Sequence, residues 1–140
     1  VASYNKFNCF VENMAEGVHN LGSNTLKILL TNSAPSASNT VKANLTEISA
    51  GNGYSAGGIP ITITTSSQTA GVYSIVATDA VMTASGGSIG PYRYAVLYND
   101  TPTSPADPLI AWWDYGSSIT SADGEKLNLD FNPAGLFTIT

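Results

Sequence analysis

The spacing of apolar positions changes period once along this chain. Phe7, Phe10, Val11, Met14, Val18 and Leu21 recur at helical intervals and trace one face, while Asn8, Glu12, Asn13, Glu16 and Asn20 hold the other. Ser3 is placed to act as N-cap and Gly22 as the C′ residue, with Gly17 a mild internal weakness. The pattern therefore predicts a helix over about 4–21 whose apolar stripe covers a sheet.

From Thr25 onward the apolar residues alternate. Leu26, Ile28 and Leu30 share a strand face; Ile59, Ile61 and Ile63 alternate with Pro60, Thr62 and Thr64, and the proline restricts that strand to an edge or a strand start. Tyr73, Ile75 and Ala77 follow, then Ala80–Thr83, then Tyr92, Tyr94, Val96 and Tyr98. Leu109–Tyr115 is bulky on both faces, Leu127, Leu129 and Phe131 alternate again, and Phe137 and Ile139 close the chain. Turn signals separate these runs: Asn32–Thr40, Gly51-Asn52-Gly53, Gly57-Gly58, Ala70-Gly71, Gly86–Gly90, Asp100–Pro108 and Asp123-Gly124, the last read as a hairpin turn. Short strands joined by short loops favour antiparallel pairing. The expectation is a single all-β domain over 1–140, an antiparallel β-sandwich or jelly roll carrying one N-terminal amphipathic helix.

Composition narrows the function. Ser, Thr, Asn and Gly fill 56 of 140 positions, and charged residues only 11%, against roughly 25% in an average domain. Five Lys/Arg against ten Asp/Glu leave no basic footprint for a phosphate backbone, so no nucleic-acid partner is expected. No run approaches the length of a membrane helix, and no basic region followed by an apolar one marks a secretory signal. One cysteine and one histidine leave no internal disulfide and no Cys-based or multi-His metal site; no cofactor is expected.

Candidate chemistry is sparse. Cys9 and His19 lie ten residues apart, about 15 Å along a helix, too far for a nucleophile and its base. His19, near the predicted helix C-terminus, is expected to face solvent or the last carbonyls. Asp114, Asp123, Glu125 and Asp130 are the carboxylates to weigh for glycoside hydrolysis, but no motif sets two of them across a cleft. The glycine-rich stretch Gly51–Gly58 has neither the Gly-Lys-Ser/Thr ending nor the following helix that phosphate binding needs. The reading is that the chain is not an enzyme.

An aromatic patch is the stronger surface candidate. Trp112 and Trp113 are adjacent in a predicted strand, so they point to opposite faces, one inward and one outward or covered. With Tyr115, Tyr54 and Arg93, the only arginine, they form a candidate interface. An outward tryptophan suits a protein partner or a sugar ring.

Several phrases of the sequence carry a resemblance. Ser3–Phe7, Glu16–Leu21, Glu47–Tyr54, Gly87–Pro91, Tyr94–Tyr98 and Trp112–Gly116 are similar to a small family of tailed-bacteriophage virion proteins, among them the cement, or decoration, proteins of podophage heads. The resemblance spans essentially the whole chain and includes no catalytic motif. It implies a non-enzymatic jelly-roll protein on the capsid exterior, seated as homodimers on a shell of major capsid protein. The loops Asn32–Thr40 and Asp100–Pro108 are then expected to extend over neighbouring subunits. The alternative is a receptor-binding domain of a tail or head fibre that grips carbohydrate.

Overall fold

The structure, a computed structural model, describes residues 2–140. It is organised around β2 (Leu26–Thr31), in which five of six residues are buried. A strand apolar on both faces must lie inside a sheet covered on both sides. β2 accordingly sits in a five-stranded sheet of order β1 (Ser3–Lys6), β8 (Leu109–Ser121), β7 (Ile89–Asn99), β2, β3 (Ile59–Pro60), all pairs antiparallel. β4 (Ile63–Thr69), β5 (Val72–Ala77) and β10 (Phe137–Ile139) form a three-stranded sheet of order β10-β5-β4, and β6 (Ala80–Thr83) pairs with β9 (Lys126–Leu129). The protein is thus mostly β with antiparallel sheets.

Two covers bury the central sheet. On one face Ile28, Leu97 and Ala111 pack with Ile75, Ala77 and Phe137 of the three-stranded sheet, while Leu30 and Tyr92 pack with Met82, Ala84 and the half-buried Leu127. On the other, Leu29, Val96, Tyr98 and Leu109 enclose Phe7 beneath Leu45, Cys9 and Trp112. The segment 32–58 is irregular chain with one 3₁₀ turn at Lys42–Asn44; its Leu45 packs on this second face, while Ile48 and Tyr54 join Leu30 and Tyr92 on the first. It is held by backbone bonds: Asn8 N–H to the Ala37 carbonyl (2.9 Å), Leu109 N–H to Thr40 (3.0 Å) and Lys42 N–H to Asp107 (3.0 Å). Asn32–Thr40 therefore folds back on its own sheet.

The predicted 4–21 helix is replaced by two elements. Ser3–Lys6 is the edge strand β1, pairing with Ala111–Asp114, and only Cys9–Ala15 is helical (α1). Strand pairing wins at the start because it satisfies the outer backbone groups of β8 and lays Tyr4 beside Trp113. Gly17 ends the helix. At φ +75° it is the C′ residue of a Schellman motif, in which Gly17 N–H bonds the Met14 carbonyl (3.3 Å) and Val18 N–H that of Asn13 (2.9 Å). Asp123-Gly124 makes a turn, Glu125 N–H meeting the Ala122 carbonyl at 2.9 Å, but not a hairpin, because β9 pairs with β6 and not with β8.

His19 differs most from expectation. It is 6% exposed, its ring 5.4 Å from that of Phe10, and its Nδ1 lies 3.0 Å from the Asn99 amide nitrogen, which also donates to Asn24 Oδ1. Since Asn99 Nδ2 can only donate, Nδ1 is the acceptor and the ring proton sits on Nε2, which has no hydrogen-bond partner among the described residues. Burial lowers the imidazole from 6.5 to about 4. Between those values acid protonates the unfolded chain first and the folded one not yet, so His19 favours unfolding as pH falls from 6.5 toward 4. Wild-type protein is expected to lose about 2–3 kcal/mol more than His19→Gln between pH 7 and pH 4.5, measured by urea denaturation; equal losses disprove this.

Gly58 sets how closely the returning chain approaches β2. A Cβ there would stand 1.8 Å from the Ile28 carbonyl oxygen, at φ +82°. Gly58→Ala is expected to cost about 3 kcal/mol or more, read as a lowered denaturation midpoint.

Candidate functional site

The aromatic residues of β8 owe their placement to two irregularities in its pairing with β7. Leu97 faces Ala111 and Tyr98 faces Leu109, so Ile110 is an extra residue, and Leu109 and Trp112 come to share a face. Further on, Tyr94 faces Asp114 whereas Tyr92 faces Ile119. Four residues, Tyr115–Ser118, thus bulge out opposite the single residue Arg93. Gly116 takes φ +99° in this excursion, and Ser118 Oγ bonds Asn32 Oδ1 at 2.7 Å.

Trp112 and Trp113 do point to opposite faces, yet both are half-buried. Trp112 packs on Phe7 at 4.5 Å under the 32–58 cover. Trp113 joins the main core and meets Tyr4 of β1 edge-on at 5.8 Å. Tyr115, in the excursion, is 60% exposed.

Arg93 and Asp114 form a two-pronged pair, Nε to Oδ1 at 2.8 Å and the guanidinium NH2 to Oδ2 at 3.1 Å. Gly116 N–H adds a third bond to Oδ1 at 2.8 Å. The Arg93 guanidinium, then Gly116, hold the Asp114 carboxyl below its ordinary value, and Asp114 in turn raises Arg93. Arg93 also lies 5.3 Å over the Tyr94 ring.

A cleft of about 400 Å³ opens beside these groups. Trp113, Tyr92, Arg93, Tyr115 and Ile119 line one side, and the consecutive residues Leu127–Asn132 the other. The candidate residues therefore divide. Trp113, Tyr115 and Arg93 come together at the cleft, while Trp112 belongs to the opposite face. Tyr54 does not join the surface patch. It is 2% exposed, its hydroxyl donating to Glu47 Oε2 and accepting from Leu30 N–H (3.0 Å), and burial followed by the Glu47 bond pushes the phenol far above its ordinary value.

The other chemical candidates serve the backbone. Asp123 Oδ1 accepts from Gly86 N–H (2.9 Å), and Glu125 Oε2 from Ala122 N–H (3.0 Å). Cys9 Sγ faces the Thr40 and Leu109 carbonyls at 3.6 Å, and burial raises its thiol. Among the described residues no three His, Cys, Asp or Glu side chains gather as metal ligands, and no helix is long and apolar enough to cross a membrane.

Nothing in the sequence places the stretch Leu127–Asn132 as a wall of this cleft. Its alternation reads as a strand, but pairing with β6 rather than with β8 leaves no local signal. Comparison with protein-family models, curated proteins and solved structures gives no match.

Because each tryptophan seals one face of the same sheet, Trp112→Ala and Trp113→Ala are each expected to cost about 2–3 kcal/mol. Chemical denaturation checks this; a neutral result for either would make that ring a surface group only.

Proposed function

We propose that this chain is a non-enzymatic structural protein of a tailed-bacteriophage virion, a cement or decoration protein bound outside the head to the major capsid protein. In this reading the five-stranded sheet and the smaller sheets stacked on it make a β-sandwich of jelly-roll type, the chain is a homodimer, and the sequence resemblance supplies the kind of assembly.

One observation carries the proposal physically. β4 (Ile63–Thr69) is an edge strand of seven residues, six of them exposed, with β5 as its only strand neighbour among the described residues. Its residues are Ile, Thr, Ser and Gln, without a charge or a proline. Edge strands of free monomers are ordinarily blunted by lysine, proline or a covering loop, since bare backbone donors and acceptors invite another strand. β4 carries none of the first two, and its one irregularity lies at its start, between Ile63 and Thr65. A protein that must lie against other subunits gains from such an edge, and many weak contacts on a lattice add up to firm attachment.

Heads assembled without the protein are expected to bind added wild-type chain and to withstand higher temperature. Ser67→Lys is expected to weaken that binding by about tenfold or more with an unchanged melting temperature of the free protein. Heads of equal stability with and without the chain would refute the proposal.

A further inference from the structure

We infer that the cleft beside β9 receives an extended polypeptide segment, which adds to β9 as a strand. One wall of the cleft is six consecutive residues, Leu127–Asn132, and no residue of β6 lines it, so it opens on the side of β9 away from its only strand partner among the described residues. Antiparallel geometry fixes which backbone groups look that way. Glu125 C=O bonds Ala84 N–H on the β6 side (2.9 Å), and Phe131 N–H bonds Asp79 Oδ1, just before β6 (2.8 Å). Both groups of a residue point to one side, and the side alternates. Odd-numbered residues from 125 to 131 therefore face β6, and the N–H and C=O of Asn128 and Asp130 face the cleft. Among the described residues these have no backbone partner.

The side chains alternate in register with this. Leu127, Leu129 and Phe131 are half-buried against the core while Lys126, Asn128 and Asp130 are exposed. The floor is apolar and aromatic, with Trp113, Tyr92 and Ile119. A free strand edge above an apolar floor matches the recognition mode in which main-chain bonds supply affinity and alternate side chains fill the floor. The volume of about 400 Å³ falls in the range of formed ligand sites.

Charge defines the segment further. Arg93 is already engaged by Asp114, and Asp130 forms no ion pair among the described residues. The occupant is therefore apolar at alternate positions and carries a lysine or arginine near Asp130. This inference concerns an edge separate from β4 and stands whether or not the chain decorates a capsid.

Selection from a displayed random dodecapeptide library on the intact protein tests it. Enriched peptides are expected to alternate apolar residues and to include a basic one. Asn128→Pro removes a cleft-facing N–H without touching the β6 ladder, and is expected to weaken these peptides by about tenfold, whereas Asn128→Ala leaves them bound. Amide exchange at Asn128 and Asp130 in the wild-type protein is expected to slow on peptide binding, a readout independent of whether the proline variant folds. No enrichment of alternating peptides, or no slowing at these two amides, overturns the inference. So does a glycan array showing a sugar ligand that is lost in Trp113→Ala and kept in Asn128→Pro.

Discussion

The two-sided burial of β2 is the constraint on which the rest depends. Its neighbour β3 pairs only with Lys27 and Ile28, so beyond that point the backbone of β2 needs partners from irregular chain. Leu30 finds them in the Tyr54 hydroxyl and in Ile48 N–H (3.1 Å). The Thr31 hydroxyl donates to the Thr46 carbonyl. Glu47 takes both the Tyr54 hydroxyl and Gly57 N–H (2.7 Å), while the Tyr98 hydroxyl donates to the Gly57 carbonyl (2.6 Å). A loop over a buried sheet is costly unless its polar groups are matched. Here the Tyr54 and Tyr98 hydroxyls and the Glu47 carboxylate match Leu30 N–H and both backbone groups of Gly57, which explains why Tyr54 is structural.

Legibility in the sequence followed burial. β2, β5, β6, β7 and β10 were visible because their apolar residues alternate or run together against a core. β4 was invisible beyond Ile63 because six of its residues face solvent and leave no apolar period. The N-terminal helix was overextended because a strand residue such as Tyr4, and Leu21 in the loop beyond Gly17, fit a helical stripe by spacing alone. Only the left-handed conformation at Gly17 and the partner strand β8 settle where the helix lies, and neither is a local property of that stripe.

The candidate site was half legible. Opposed tryptophans follow from strand geometry, but the two bulges that set Trp113 and Tyr115 beside Arg93 depend on the pairing of β7 with β8. His19 shows the same limit: its burial comes from Asn99, eighty residues away. The low charge of the chain gains a clearer meaning from this geometry. At β4, an edge with no second strand neighbour among the described residues, the surface offers backbone groups and neutral side chains where many proteins offer ion pairs.

The pairing of β1 with β8 has a kinetic consequence. Ser3 lies opposite Asp114, 111 residues further along. The edge of the central sheet can close only after nearly all the intervening chain has been produced and β7 and β8 have found each other. Closing so large a loop is slow relative to local hairpins such as β4–β5. Acquisition of the finished sheet is therefore a late event, and until β1 docks the outer edge of β8, with the flank of Trp113 that Tyr4 covers, stays open.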